Sequence, residues 1–453
     1  FFNQNVNRFF HSSEFTLNPI DWIKATGRSC LDRYDQTNVE RLAVGARASL
    51  NSLGLIDVNR SSVSNYNLDL TLSASHNFSD NFSLNGIIGQ QVIWQESNSS
   101  DVKATSTLPF YDQISAGSTK DGASANGKTK TVGLFASATA TIFQNLNLTA
   151  SIRRDGSSTF GKDNQFHNYP KFGISYTLSD ESFMKDMKGT IDNLRIRGAY
   201  GEAGSPSLPG AYATTSLYGT YGFFDPWGRD TKASRNGFIG IRQGELSGDN
   251  YIVGGNENIQ PELNIEREIG IDLGLFNNKI KFEANYSSNN VEDMILLLDI
   301  PASTGYDKYY KNAAAMYNRT IELNLGINPV NIEGFTWNTN FGFTKTTNMV
   351  TKLEGSSTYG INGAFTGVTN IATPGQPLGV FYGRGWLRDS TTGKIIYSTG
   401  AADDDYGNAY KGAPKLSTEL LILGSSEPDF TACLLYTSPS PRVRTRFRMP
   451  SSA

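Results

Sequence analysis

Strict alternation of polar and apolar residues, repeated in segment after segment, constrains this chain more than any other feature. Between 66 and 74 the even positions are Tyr66, Leu68, Leu70, Leu72 and Ala74, and the odd ones are Asn67, Asp69, Thr71 and Ser73. Side chains of a strand point to opposite faces in turn, so this segment predicts a strand with one apolar and one hydrated face. The split recurs with Val132, Leu134, Ala136, Ala138, Ala140 and Ile142 against Ser137, Thr139 and Thr141. It returns with Leu146, Leu148, Ala150 and Ile152 against Asn147, Thr149, Ser151 and Arg153. Downstream, Ile269, Ile271, Leu273 and Leu275 alternate with Glu268, Gly270, Asp272 and Gly274. Residues 280–287 and 321–328 repeat the pattern, and Phe335, Trp337, Phe341 and Phe343 share one side of the strand that follows. Shorter examples lie at 42–50, 172–178 and 194–200, for about a dozen strands in all, many near the 9 to 11 residues that cross a bilayer at a tilt.

The connections come in two sizes. Short turns at 77–81, 143–145, 277–278 and 331–334 join consecutive strands as hairpins. Long polar stretches occupy the opposite ends, roughly 95–130, 201–265 and 291–317, which is unusual inside a soluble domain. Tight turns at one end and extended loops at the other suit an outer-membrane barrel, with the turns periplasmic and the loops extracellular.

Hydropathy neither supports nor excludes that reading. Hydrophobic residues make up 38% of the chain and mean hydropathy is -0.37. The longest apolar runs are about as short as 294–298, far below the roughly 20 residues of a membrane helix. Helical spans are therefore excluded, but a barrel is not, because only every second residue of its strands meets lipid. Gly 45, Tyr 21 and Phe 26 beside 6 Met and 3 His favour strands and turns over helices. A net charge of -3 gives no basic footprint for nucleic acid.

The chain opens on Phe1 with no initiator Met, so its start is expected to lie inside a longer reading frame. At the other end, Cys433 opens a segment to Ala453 with four alternating arginines, three prolines and no acid. That composition reads as a foreign tail, leaving 1–432 as native sequence.

Several segments resemble the SusC/RagA family of TonB-linked outer-membrane proteins of Bacteroidota. They are 151–161 (SIRRDGSSTFG) followed by Tyr169 and Pro170, 193–204 (NLRIRGAYGEAG), 258–274 (NIQPELNIEREIGIDLG) and 286–293 (YSSNNVED). Residues 301–305 (PASTG), 312–318 (NAAAMYN), 375–383 (GQPLGVFYG) and 424–430 (GSSEPDF) complete the match in the same order. The resemblance implies an all-β fold: a transmembrane antiparallel β-barrel of 22 strands, of which 1–432 would supply a middle-to-late portion without plug or N-terminal region. It also implies a nutrient importer whose partners are a SusD-like surface lipoprotein and the TonB–ExbB–ExbD energy-coupling complex, with an oligosaccharide or peptide as cargo and outer-membrane lipid around the wall. In the residues themselves, Asp155-Gly156 reads as a turn that ends the strand carrying Arg153 and Arg154.

No enzyme chemistry is visible. HExxH, P-loop, GxSxG and CxxC patterns are absent, His11, His76 and His167 lie far apart, and Cys30 and Cys433 have no ligand spacing. Asp403, Asp404 and Asp405 lack the spacing and central Gly of a calcium loop. No cofactor or metal is expected. The one candidate contact site is aromatic: Tyr218, Tyr221, Phe223, Phe224 and Trp227 crowd a long loop and could stack on sugar rings, grip a peptide or meet a lid protein. Two other readings remain at this point, a surface adhesin that binds without transport and a soluble carbohydrate-binding β-protein. A plug and a TonB-contacting segment in the full gene would separate importer from adhesin, and partition into the membrane pellet would separate barrel from soluble protein.

Overall fold

The computed structural model describes residues 1–45, 53–205, 210–216, 252–304, 306–332, 335–362, 367–399 and 411–437, and between 218 and 246 only the backbone of short strands. Among the described residues no helix exceeds a few residues, and none is long and apolar enough to cross a membrane. The strands are β1 (Phe2–Ile20), β2 (Ile23–Leu42), β3 (Leu55–Ser79), β4 (Phe82–Thr107), β5 (Gly117–Ile142), β6 (Leu146–Ser157), β7 (Phe166–Thr177) and β8 (Ile191–Ser205). Short strands β9 (Tyr218–Tyr221), β10 (Phe223–Phe224), β11 (Asp230–Thr231), β12 (Gly240–Gln243), β13 (Glu245–Leu246) and β14 (Ile252–Gly254) follow. Then come β15 (Glu262–Leu275), β16 (Ile280–Asp299), β17 (Lys308–Ile332) and β18 (Phe335–Leu353). The series ends with β19 (Tyr359–Asn362), β20 (Val368–Ala372), β21 (Val380–Gly383), β22 (Leu421–Gly424) and β23 (Thr431–Thr437).

Contacts divide the chain into two units, one of residues 1–174, 201–263 and 295–312, the other of 175–200, 264–294 and 313–453. In the first, β1 to β7 lie side by side in chain order, and the ladders from β1 through β6 are all antiparallel. Each strand pairs with its chain neighbour, so no long crossover is needed. In the second, β8, β15, β16, β17 and β18 follow in order and β23 pairs antiparallel with β18. A separate four-stranded sheet runs β19-β20-β21-β22 around buried Ile371 and Val380.

Two stretches read as long loops are strand instead. β4 and β5 stay in register to Thr107↔Gly117, so most of 95–130 is a hairpin, and β16 and β17 take up most of 291–317. In the β4–β5 extension both faces are polar, and in 291–317 the apolar residues come in runs (294–298 and 313–316), so alternation disappears in both although the backbone continues as strand. The stretch 42–50 is the reverse case: Leu42 ends β2, and 46–50 lie outside the described residues. The turn assigned to Asp155-Gly156 is also corrected. β6 continues to Ser157, with Gly156 opposite Val132. Gly156 serves space rather than turn geometry, since a Cβ there would lie 2.3 Å from the Phe166 ring.

Outside these walls, Asp389 accepts bonds from the backbone N–H groups of Thr391 at 3.1 Å and Thr392 at 2.6 Å, and from the Thr392 hydroxyl at 2.8 Å. Those bonds, led by the Thr392 N–H, hold its carboxyl below the ordinary carboxylate range. A depressed carboxylate stabilises its fold above the unfolded-state value and loses that contribution as pH falls through the folded one. Protection of the Thr391 and Thr392 amides, taken relative to the intrinsic exchange rate at each pH, should therefore fall only as pH drops below the usual carboxylate range, and Asp389→Asn should remove that pH dependence.

Candidate functional site

In the first unit one register row crosses six strands with Glu14, Arg28, Asp69, Gln91, Gly133 and Asp155 opposite one another. The row is knitted together by side chains. Arg28 pairs with Glu14 at 2.6 Å, and Gln91 donates to Asp69 at 2.9 Å. Arg153 bonds Asp155 at 2.7 Å and reaches back across β5 to Gln91 at 3.0 Å. Gly133 makes that crossing possible, because a Cβ there would sit 2.3 Å from the Arg153 guanidinium. Arg153 also lies 5.6 Å above the Phe135 ring.

One residue along each strand, the opposite face carries Phe15, Gly27, Leu70, Gln90, Leu134 and Arg154 in register. Its large apolar side chains are bare: Leu70 is 47% exposed and Leu134 53%. A soluble protein would bury such a face, and neighbouring rows repeat the pattern with Leu72, Ile88 and Ile152. Aromatic residues bound it at both ends. Tyr66 and Trp94 pair at 6.2 Å on one side, and Trp22, His76, Phe78 and Phe82 cluster beside the short turns on the other. From Tyr66 to His76 the strand rises about 33 Å, which at barrel tilt spans roughly 25 Å of membrane normal, the height of an outer-membrane apolar band. The wall therefore has a lipid face and a lumenal face.

The second unit repeats the lumenal scheme. Arg195 bonds Asp272 at 2.7 Å, and Arg197 approaches the same carboxylate at 3.6 Å and Glu268 at 4.0 Å. Asp272 is 5% exposed, and Gly270 leaves the space in which Arg197 lies. Charges read in the sequence as hydrated-face residues are thus mostly satisfied by one another. The histidines have structural roles: His76 makes edge-to-face contacts with Trp22 and Phe78, His11 bonds Ser13, and His167 bonds the Asn164 carbonyl.

A third feature sits where three motif segments of the first unit meet. Phe160 and Ile259 are buried, and Asn164 donates to the Asn258 carbonyl at 3.2 Å. Asn312 accepts from the Gln260 N–H at 3.0 Å and donates to its carbonyl at 2.8 Å, while Asn256 donates to the Tyr310 carbonyl at 2.7 Å. Gly161 closes this junction so tightly that a Cβ would lie 1.8 Å from the Glu257 carbonyl oxygen. These bonds fix the downstream base of the long segment carrying the aromatic candidates. Of those candidates, the backbone of Tyr218 and Tyr221 pairs with β12 and that of Phe223 and Phe224 with β11. Their side chains, and Trp227 entirely, lie outside the described residues, as do Asp403, Asp404 and Asp405.

The family described as "TonB dependent receptor-like, beta-barrel" matches residues 1–423. The chain belongs to that family. Its members are outer-membrane receptors and transporters rather than enzymes, which places the apolar band in the outer membrane. Among curated relatives, TonB-dependent receptor P3 of Formosa agariphila is 27% identical over 294 residues, and TonB-dependent receptor SusC of Bacteroides thetaiotaomicron is 24% identical over 214. Those alignments take in 62% and 46% of this chain but 28% and 19% of the relatives. The solved RagAB peptide transporter shares the fold, with a TM-score of 0.73 at 18% identity over 96% of this chain and 46% of that one. The chain thus spans under half the length of each of these three proteins. Sequence reading missed the register rows and the Gly161 junction, because both join residues far apart in the chain.

Proposed function

We propose that the chain forms part of the barrel wall of a SusC-like importer that takes a nutrient, a peptide or an oligosaccharide, across the outer membrane. The observation that carries this is the two-faced wall, apolar toward lipid and lined with mutually paired charges toward the interior. A lumen of that kind admits hydrated cargo and a plug, while the wall itself stays passive. In this reading TonB–ExbB–ExbD drives uptake through a plug domain, and a SusD-like lipoprotein covers the extracellular mouth. RagAB, which shares the fold, is a peptide transporter, and this supports the peptide arm. The aromatic loop of Tyr218, Tyr221, Phe223, Phe224 and Trp227 supports the sugar arm, since ring faces stack on both sugars and partner proteins. Residues 1–432 are read as receptor sequence and 433–453 as a foreign tail, which sequencing the gene through Ala432 tests.

The direct test is uptake by cells carrying or lacking the gene. Labelled peptide or oligosaccharide should accumulate only in the carrier strain, and only while TonB is functional. Binding at the surface with equal accumulation in a TonB-deficient strain would instead support an adhesin.

A further inference from the structure

We propose that the lipid face of β1 to β7 holds one phosphate-bearing lipid at a defined site, its acyl chain in a trough and its phosphate on Arg154. The inference rests on the membrane-barrel reading and goes beyond transport. Two adjoining hollows of about 900 and 610 Å³ lie on this face and share Leu72, Ile88, Ala136 and Ile152. The floor of the smaller is a register row of small residues, Ala74, Gly86, Ala138 and Ala150, across β3 to β6. Between two aromatic girdles, the molecule that fills an apolar trough is an acyl chain.

What makes the trough selective is its charge. Arg154 lines the larger hollow, exposed on the lipid face, three residues from the end of β6. Its guanidinium lies 5.4 Å over the Phe166 ring and has no carboxylate partner among the described residues. Its neighbour Arg153, on the opposite face, is fully engaged by Asp155 and Gln91. A bare cation on a lipid-facing wall is unfavourable unless it reaches the interface or meets an anion. A lipid phosphate supplies the anion and brings the chain that fits the hollow, and guanidinium binds phosphate through two parallel N–H···O bonds.

The test uses the receptor isolated at its natural length from outer membranes and stripped of lipid in neutral detergent. Phosphatidylglycerol and a diacylglycerol of the same chains are titrated separately, with bound lipid counted by native mass spectrometry. One phosphatidylglycerol should be retained per receptor. Arg154→Gln should weaken it by about tenfold, the scale of one charge-assisted contact, and bring it level with diacylglycerol. Ala138→Phe, which fills the trough floor, should weaken both lipids while heat-modifiable mobility stays unchanged. Equal binding of the two lipids by the unaltered receptor, or undiminished binding by Arg154→Gln, would leave only nonspecific boundary lipid and overturn the site. Absence of the receptor from outer membranes would overturn the membrane reading and the site together.

Discussion

Leu134→Arg should destabilise the membrane-inserted receptor by about 1 to 3 kcal/mol, between the cost of a cation on the lipid face at the bilayer midplane and that near the interface. Leu134 lies four residues from Lys130, which shares a row with Tyr66 and Trp94, and eight from Ile142 at the short turn. It is therefore inside the apolar band but on its extracellular side, in the row that also carries Arg154. Ser137→Arg on the same strand should cost much less. Ser137 faces the lumen opposite Ile87 and Ser151, where a long cation can reach water. Reversible urea unfolding from phospholipid vesicles reads both variants against the parent. Equal losses at the two positions would remove the distinction between the faces.

Gly161→Ala should be the costliest single-methyl change in the first unit, about 2 to 3 kcal/mol, the range of forced overpacking. The backbone there has φ -61 and ψ 158, which any residue adopts, so conformational freedom is not the issue. Space is: the added Cβ meets a backbone carbonyl, which cannot swing aside as a flexible side chain would. Either the connection after β6 or the base of the aromatic loop must move, and the Asn164 and Asn312 bonds to the neighbouring segment loosen with it. Gly360→Ala is the control, since its φ is ordinary and nothing lies within 4 Å of the new Cβ. That change should stay within about 0.5 kcal/mol of the parent. Unfolding midpoints with unchanged m-values would show that stability alone has moved.

The parts of the fold legible in the sequence are those on which the membrane imposes two chemistries. Residues 66–74 and 132–152 alternate because one side meets acyl chains, and there the reading of strand, face and turn holds. The strands lose their signature where they leave the bilayer. Ser97, Ser99 and Asp101 face one way and Asn98, Ser100 and Val102 the other, yet all sit in a continuous β4. β1 fails for a related reason: nearly all of its residues are exposed and its two sides are mixed, so Phe9 and Phe10 fall on opposite faces. The lumenal row needs register, and register links Glu14 to Asp155 across five ladders that no local pattern specifies. Asp155-Gly156 shows how local chemistry misleads, since a pair suited to a turn serves there as an ion-pair partner and a space for an aromatic ring.

The most direct test of the two-faced wall is a spin-label scan along β5 of the inserted receptor, with Cys30 first replaced by serine. Labels introduced singly from 132 to 142 are read for collision with oxygen, which concentrates in lipid, and with a water-soluble nickel chelate. Positions 132, 134, 136, 138, 140 and 142 should favour oxygen, and the odd positions between them should favour nickel, with a period of two. A uniform profile, or nickel access at Leu134 with oxygen access at Ser137, would contradict the account.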